Sequence, residues 1–132
     1  MAPVVGLRGE TSLVVGTEHT AEAVGSGLVP VLATPVVVGL MEGAAVAALR
    51  GHLDNGETSV GAEISIRHLA PTPVGSTVRA VAELAAIDGR KLTFQVSAYD
   101  DGGLIAEGTH ARVIVSVDRF LAKARERQVS KR

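Results

Sequence analysis

The stretch from Val36 to Leu49 is apolar at almost every position, and it decides most of what this chain can fold into. Thr34-Pro35 ahead of it reads as an N-cap residue followed by proline at the first helical position, where the missing N–H costs nothing. Ala44, Ala45, Ala47 and Ala48 are strong helix formers, and Gly51 supplies a stop. A helix apolar nearly all round has to be buried on most of its sides. Glu42 is the one charge inside it. Gly39, Glu42 and Gly43 break the run too early for a membrane span, so none is expected.

What wraps the helix is written in period-two patterns. Residues 9–18 read as a first strand, and 21–33, with Gly25, Gly27 and Pro30, as a loop or lid. Beyond the turn at Asp54-Asn55-Gly56, Val60, Ala62, Ile64, Ile66 and His68 alternate with Ser59, Gly61, Glu63, Ser65 and Arg67. That is a half-buried strand with His68 on its apolar face. Val78, Ala80, Ala82, Leu84 and Ala86 mark a second, and Asp88-Gly89 turns into a third carrying Leu92, Phe94, Val96 and Ala98. After Asp100-Asp101-Gly102-Gly103, a long strand runs from about Leu104 to Val117. The order predicts an α+β fold of one domain over 1–132, with 1–8 and 123–132 loose. One sheet shields only one side of such a helix. A second copy is the natural supplier of the rest, which predicts a homodimer or a dimer of dimers.

Composition narrows the partners. Phe94, Tyr99 and Phe120 are the only aromatics, and 13 basic residues against 14 acidic leave a net charge of −1. Neither base stacking nor a polyanion-attracting field is available, so nucleic acid is not an expected partner. With no cysteine there is no thiolate ligand or nucleophile, and no histidine pair has helical metal spacing, so no metal or resident cofactor is expected. The start, MAPVVGLRG, lacks the basic and apolar regions of a signal peptide, and a cytoplasmic location is the expectation.

Three residues stand out for chemistry. A carboxylate such as Glu42 among Ala, Val and Leu is costly unless paired, with Arg67 or Arg112 for instance, and suits a general base or nucleophile. His68 ends an apolar strand face. Thr34 is explained as an N-cap, yet a helix N-terminus also attracts developing negative charge. His110 and Arg112 share a face of the last strand and are candidate ligand contacts, with solvated strand polars the favoured reading. Eight residues separate Thr34 from Glu42, about 12 Å along a helix axis. Either His68 bridges them, or Glu42 reaches the site from a second subunit.

Several segments resemble the hot-dog-fold thioesterase family typified by fluoroacetyl-CoA thioesterase. They are Val31-Leu32-Ala33-Thr34-Pro35 through Leu40-Met41-Glu42, Ser59-Val60-Gly61, Ile66-Arg67-His68 through Gly75, Asp88 to Phe94, and Gly108-Thr109-His110-Ala111-Arg112. The resemblance implies a helix wrapped by a curled antiparallel sheet of about five strands, and dimers joining sheets edge to edge. It assigns catalysis to Thr34, Glu42 and His68 and substrate contacts to Gly61 and Arg112. Leu28 in the loop and Val36 in the first helical turn complete the expected substrate-binding set. The implied reaction is hydrolysis of an acyl-CoA thioester. Residues 24–33 hold no aromatic, and Pro35 stands where the fluoroacetyl-specific enzyme has glycine, so a small or medium acyl group is expected without fluoroacetyl selectivity. A non-catalytic acyl- or CoA-binding dimer and an enoyl-thioester hydratase or dehydratase are the alternatives.

Overall fold

The computed structural model describes residues 2–128. Five antiparallel strands form one sheet: β1 (Arg8–Val14), β2 (Glu57–His68), β3 (Thr77–Asp88), β4 (Lys91–Asp100) and β5 (Gly103–Ser116). Their spatial order is β1-β3-β4-β5-β2, so β1 and β2 are the edges. The long helix α2 (Thr34–Ala48) joins one edge to the other and therefore crosses the concave face. This is the α+β arrangement that the strand and helix pattern predicts, and its helix wrapped by a five-stranded sheet is what the resemblance to hot-dog proteins implies.

The core is the helix stripe Val37, Met41, Ala44, Ala45 and Ala48 set against the inward residues of β3 and β4. Leu92, Phe94, Val96 and Ala98 are all buried, as their alternation requires. The helix lies very close to the sheet at β1. A Cβ on Gly9 would stand 2.1 Å from the Ala44 carbonyl oxygen and 2.3 Å from the Ala48 nitrogen. Only glycine fits between a strand and a helix backbone at that separation. Beside it, the Thr11 hydroxyl donates to the Leu40 carbonyl at 2.7 Å.

The helix is less enclosed than its composition predicts. One stripe is fully buried, while Val36, Val38, Leu40 and Ala47 are half-buried and Val46 is exposed. A five-stranded sheet covers one side and no more, so the remaining apolar surface is left open in the single chain.

Two one-residue irregularities redirect side chains. The β2–β5 register shifts between Gly61 and Glu63, leaving Ala62 as the extra residue of a bulge. Before the bulge the odd residues Ser59 and Gly61 face the helix; after it the even residues Ile64, Ile66 and His68 do. The expected single face running from Val60 through Ala62 to His68 is thereby corrected, and Ala62 is exposed. A second shift between Leu84 and Ala86 likewise turns Ala86 outward.

Other boundaries move by a few residues. The first strand is shorter than 9–18, and residues 17–19 form a 3-10 turn followed by the single-turn helix α1 (Ala21–Val24). The loop after α1 is stitched down at its return: Leu32 N–H donates to Thr72 O and Ala33 N–H to His19 O, each at 2.9 Å. The last strand stops at Ser116, whose side chain accepts from Arg119 N–H and caps α3 (Val117–Glu126). Residues 123–126, expected to be loose, are thus the end of a helix; Arg127 and Gln128 still bond back to its last turn, and 129–132 lie outside the described residues. Near the start, Gly6 N–H and Leu7 O bond to Leu84, which ties residues 6–8 to β3. Among the described residues no helix is long and apolar enough to cross a membrane.

Candidate active site

Thr34 is not the N-cap. Ala33 takes that position with extended backbone (φ −74°, ψ 140°), Thr34 is the first helical residue and Pro35 the second. Proline is tolerated anywhere in a first turn, because those N–H groups have no intrahelical partner. Released from capping, the Thr34 hydroxyl lies 2.7 Å from His68 Nδ1. His68 is the last residue of β2, at the same end of the sheet as the helix start. Its other nitrogen, Nε2, is shielded from solvent and has no hydrogen-bond partner. The pair opens on a cleft of about 380 Å³ whose walls include Ala21, Gly27, Val29, Val31, Ala70 and Pro71. Leu28 is 93% exposed, and neither it nor Val36 lines this cleft.

Glu42 lies two helical turns further on, about 12 Å along the axis. Its side chain is 43% exposed rather than sunk in the core, and its Oε2 stands 3.8 Å from Arg112 Nη1. The bulge at Ala62 brings Gly61 directly under it. A Cβ on Gly61 would meet Glu42 Oε2 at 2.7 Å, Arg112 Nη1 at 3.5 Å and His110 Cε1 at 3.5 Å. Gly61 therefore floors a small space walled by a carboxylate, a guanidinium and an imidazole.

His110 and Arg112 are buried, at 2% and 6% exposure, which corrects the reading of both as solvated strand polars. The reason is at Gly108, where a Cβ would fall 2.0 Å from the Ser65 carbonyl oxygen. β2 folds in over β5 at that point and closes off the inward face. Arg112 donates from Nε to Ser59 Oγ at 2.8 Å and from Nη2 to Ser59 O at 3.0 Å. Burial holds its guanidinium below the ordinary arginine pKa, and the Glu42 charge pulls the other way. An arginine remains charged in either case. Ser59 belongs to this site although the sequence pattern did not mark it. Period two placed Ser59 outward, and only the bulge reverses it.

Within one chain the predicted residues thus form two groups. Thr34 and His68 meet at one end of the helix, while Glu42, Gly61 and Arg112 meet further along it. Among the described residues no group of three or more histidine and carboxylate side chains is arranged to hold a metal ion.

The family model described as fluoroacetyl-CoA-specific thioesterase matches residues 15–118. The chain belongs to this family. It is 44% identical over 97 residues to the fluoroacetyl-CoA thioesterase of Streptantibioticus cattleyicolor, covering 74% of this chain and 70% of that protein. A solved structure of the fluoroacetyl-CoA thioesterase superposes with a TM-score of 0.91 at 36% identity, over 98% of this chain and 100% of that one. A thioesterase-superfamily member from Thermus thermophilus gives 0.88 at 32% identity, over 96% and 94%. The segments matched to the fluoroacetyl-CoA-specific family include both groups of site residues, from Thr34 to Arg112.

Proposed function

We propose that the protein is an acyl-CoA thioesterase, hydrolysing a small or medium acyl thioester to the free acid and coenzyme A at a site shared between two subunits. The observation that carries this reading is the 2.7 Å Thr34–His68 pair with its unpartnered, solvent-shielded Nε2. A hydroxyl donating to one imidazole nitrogen needs a carboxylate at the other to orient the ring and balance the charge that develops on it. Glu42 of the same chain sits at the other group. Glu42 of a second copy is the candidate to fill the gap.

Symmetry makes that exchange feasible. β2 is a sheet edge, and two such edges pairing antiparallel about a two-fold axis form an isologous interface. If the axis passes between Ile64 and Ser65, Gly61 of one strand lies opposite His68 of the other, and Glu42 above Gly61 comes with it. The same pairing brings a second copy to the half-covered helix.

The reaction then runs as follows. Thr34 Oγ attacks the thioester carbonyl while its proton passes to His68 Nδ1. The C–S bond breaks, the thiolate takes that proton and leaves as coenzyme A, and an acyl-threonine remains. Water, deprotonated by His68, attacks the acyl carbonyl, and Thr34 Oγ departs with the proton. Pro35 offers no N–H, so oxyanion stabilisation falls to the other donors at the helix N-terminus. No metal or resident cofactor enters these steps, and a cytoplasmic setting suits a substrate drawn from the coenzyme A pool.

The test is complementation. Free-thiol release from a panel of acyl-CoAs is measured for wild type, Thr34→Ala, Glu42→Gln and an equimolar remixed pair of the two variants. Each variant alone is inactive, and the remixed pair regains up to about one quarter of wild-type turnover, because half the dimers then hold one intact site of two. Turnover by wild type without recovery in remixed heterodimers refutes the shared site. Absence of release by wild type across the panel refutes the thioesterase and favours a binding module.

A further inference from the structure

Among the described residues, the proposed reaction leaves two buried titratable side chains unused, Arg112 and the histidine beside it. His110, on β5, lies opposite Ile64 of β2 and Phe94 of β4, and its ring centroid is 6.4 Å from that of Phe94. Its Nδ1 is 2.7 Å from the backbone carbonyl of Glu63, immediately beyond the bulge. A carbonyl only accepts, so Nδ1 carries the proton. Nε2 then presents a lone pair, and Arg112 Nη1 donates to it at 3.2 Å. Both partners demand the neutral ring in one tautomer.

Arg112 is consequently gripped on three sides. Nε and Nη2 are tied to Ser59, Nη1 is tied to His110, and the guanidinium stands 3.8 Å from Glu42. That gap exceeds a charge-assisted hydrogen bond, about 2.7–2.9 Å, by roughly 1 Å. Among the described residues of one chain no other charged side chain faces the pair, and the proposed second copy adds only its His68, at Glu42. β5 supplies His110 and Arg112, α2 supplies Glu42, β4 faces them with Phe94, and β2 contributes Ser59 and a backbone carbonyl. The Glu63 side chain itself is exposed and turns to Lys91 at 3.7 Å.

We infer that His110 is a positioning residue that holds Arg112 back from Glu42, so that the carboxylate stays unclamped and available to the reaction. The inference rests on the thioesterase reading and deepens it. Without His110, Arg112 is free to close the gap and fork onto Glu42. The carboxylate is then committed to a cation when it should be orienting the catalytic imidazole.

His110→Phe keeps the ring and its packing on Phe94 but removes both nitrogens. His110→Gln restores a neutral donor and acceptor. Expected for His110→Phe is a fall in kcat of about tenfold or more, KM within about twofold, and an acid limb of the kcat–pH profile displaced to lower pH. His110→Gln recovers most of kcat. Should His110→Phe fail to fold, Ser59→Ala loosens the same guanidinium from its other side and moves kcat in the same direction by a smaller factor. Independently of activity, 15N NMR of the labelled wild type reads the tautomer. The neutral His110 ring is expected to carry its proton on Nδ1, facing the Glu63 carbonyl.

A folded His110→Phe with wild-type kcat and pH profile overturns the inference, as does a rise in KM alone. A neutral ring protonated on Nε2 instead also overturns it. Wild type without turnover on any acyl-CoA overturns the proposed function and the kinetic claim with it; wild-type turnover beside an unmoved His110→Phe overturns this inference alone.

Discussion

Gly61→Ala separates the site from the fold, because the added methyl meets only the ends of side chains. Its Cβ would stand 2.7 Å from Glu42 Oε2, short of ordinary contact by about 0.7 Å, whereas Arg112 and His110 at 3.5 Å are already at normal distance. The carboxylate must retreat by that amount, and it has the freedom to do so on a half-exposed side chain. Displacing a reacting group by about 1 Å costs on the order of 100-fold in rate. A shift of 0.7 Å therefore predicts a loss of roughly 10- to 100-fold in kcat, about 1.4–2.7 kcal/mol of barrier. Stability moves the other way. Gly61 is not among the residues with positive φ, so alanine adopts its backbone without strain and restricts the unfolded chain, a gain of about 0.4–1 kcal/mol. Thiol release from the best acyl-CoA and a thermal melt on the same sample measure both quantities. Unchanged kcat in a stable variant would refute the placement of Glu42 at the reaction. A melting temperature several degrees lower would refute the claim that only side-chain ends are in the way.

Three further outcomes are expected. Thr34→Val, at an exposed position, should change folding stability by no more than about 1 kcal/mol while lowering thiol release by at least about 100-fold; Thr34→Ser should retain measurable turnover. Gly9→Ala should destabilise by about 2 kcal/mol or more in urea melts, since its Cβ meets helix backbone rather than a side chain that can move. Glu57 is held below the ordinary glutamate pKa chiefly by the hydrogen bond from Arg90. Its contribution is present above the unfolded pKa and is lost as pH falls through the lower folded one, so Arg90→Gln should flatten the acid limb of melting temperature against pH below about pH 5.

Much of the architecture was legible because alternation and helical apolarity are local signals. β4 needed only Leu92, Phe94, Val96 and Ala98 at every second place. The site was harder, because it depends on departures from period. A bulge at Ala62 has no composition of its own, and without it Ser59 and Gly61 count as outward. The burial of His110 and Arg112 depends on Gly108 meeting Ser65, which lies 43 residues away in sequence. Thr34 looked like a cap because Thr-Pro fits one, whereas the backbone starts its helix one residue earlier than that reading allows. α3 did leave a trace: Val117, Phe120, Leu121 and Ala124 follow helical spacing behind Ser116, inside a stretch whose charges suggested a tail.

The bulge in β2 has a consequence for how such a strand tolerates change in length. It behaves as two short strands of opposite facing joined at one residue, so its reading frame resets at Ala62. Deleting that residue would leave Gly61 opposite Arg112 and Ser59 opposite Ile114, with Glu63 and Ile64 still opposite Ala111 and His110. The strand would then alternate without interruption, and the same side chains would face the helix. The bulge thus lets one strand carry an extra residue without moving the glycine and the serine beneath the carboxylate.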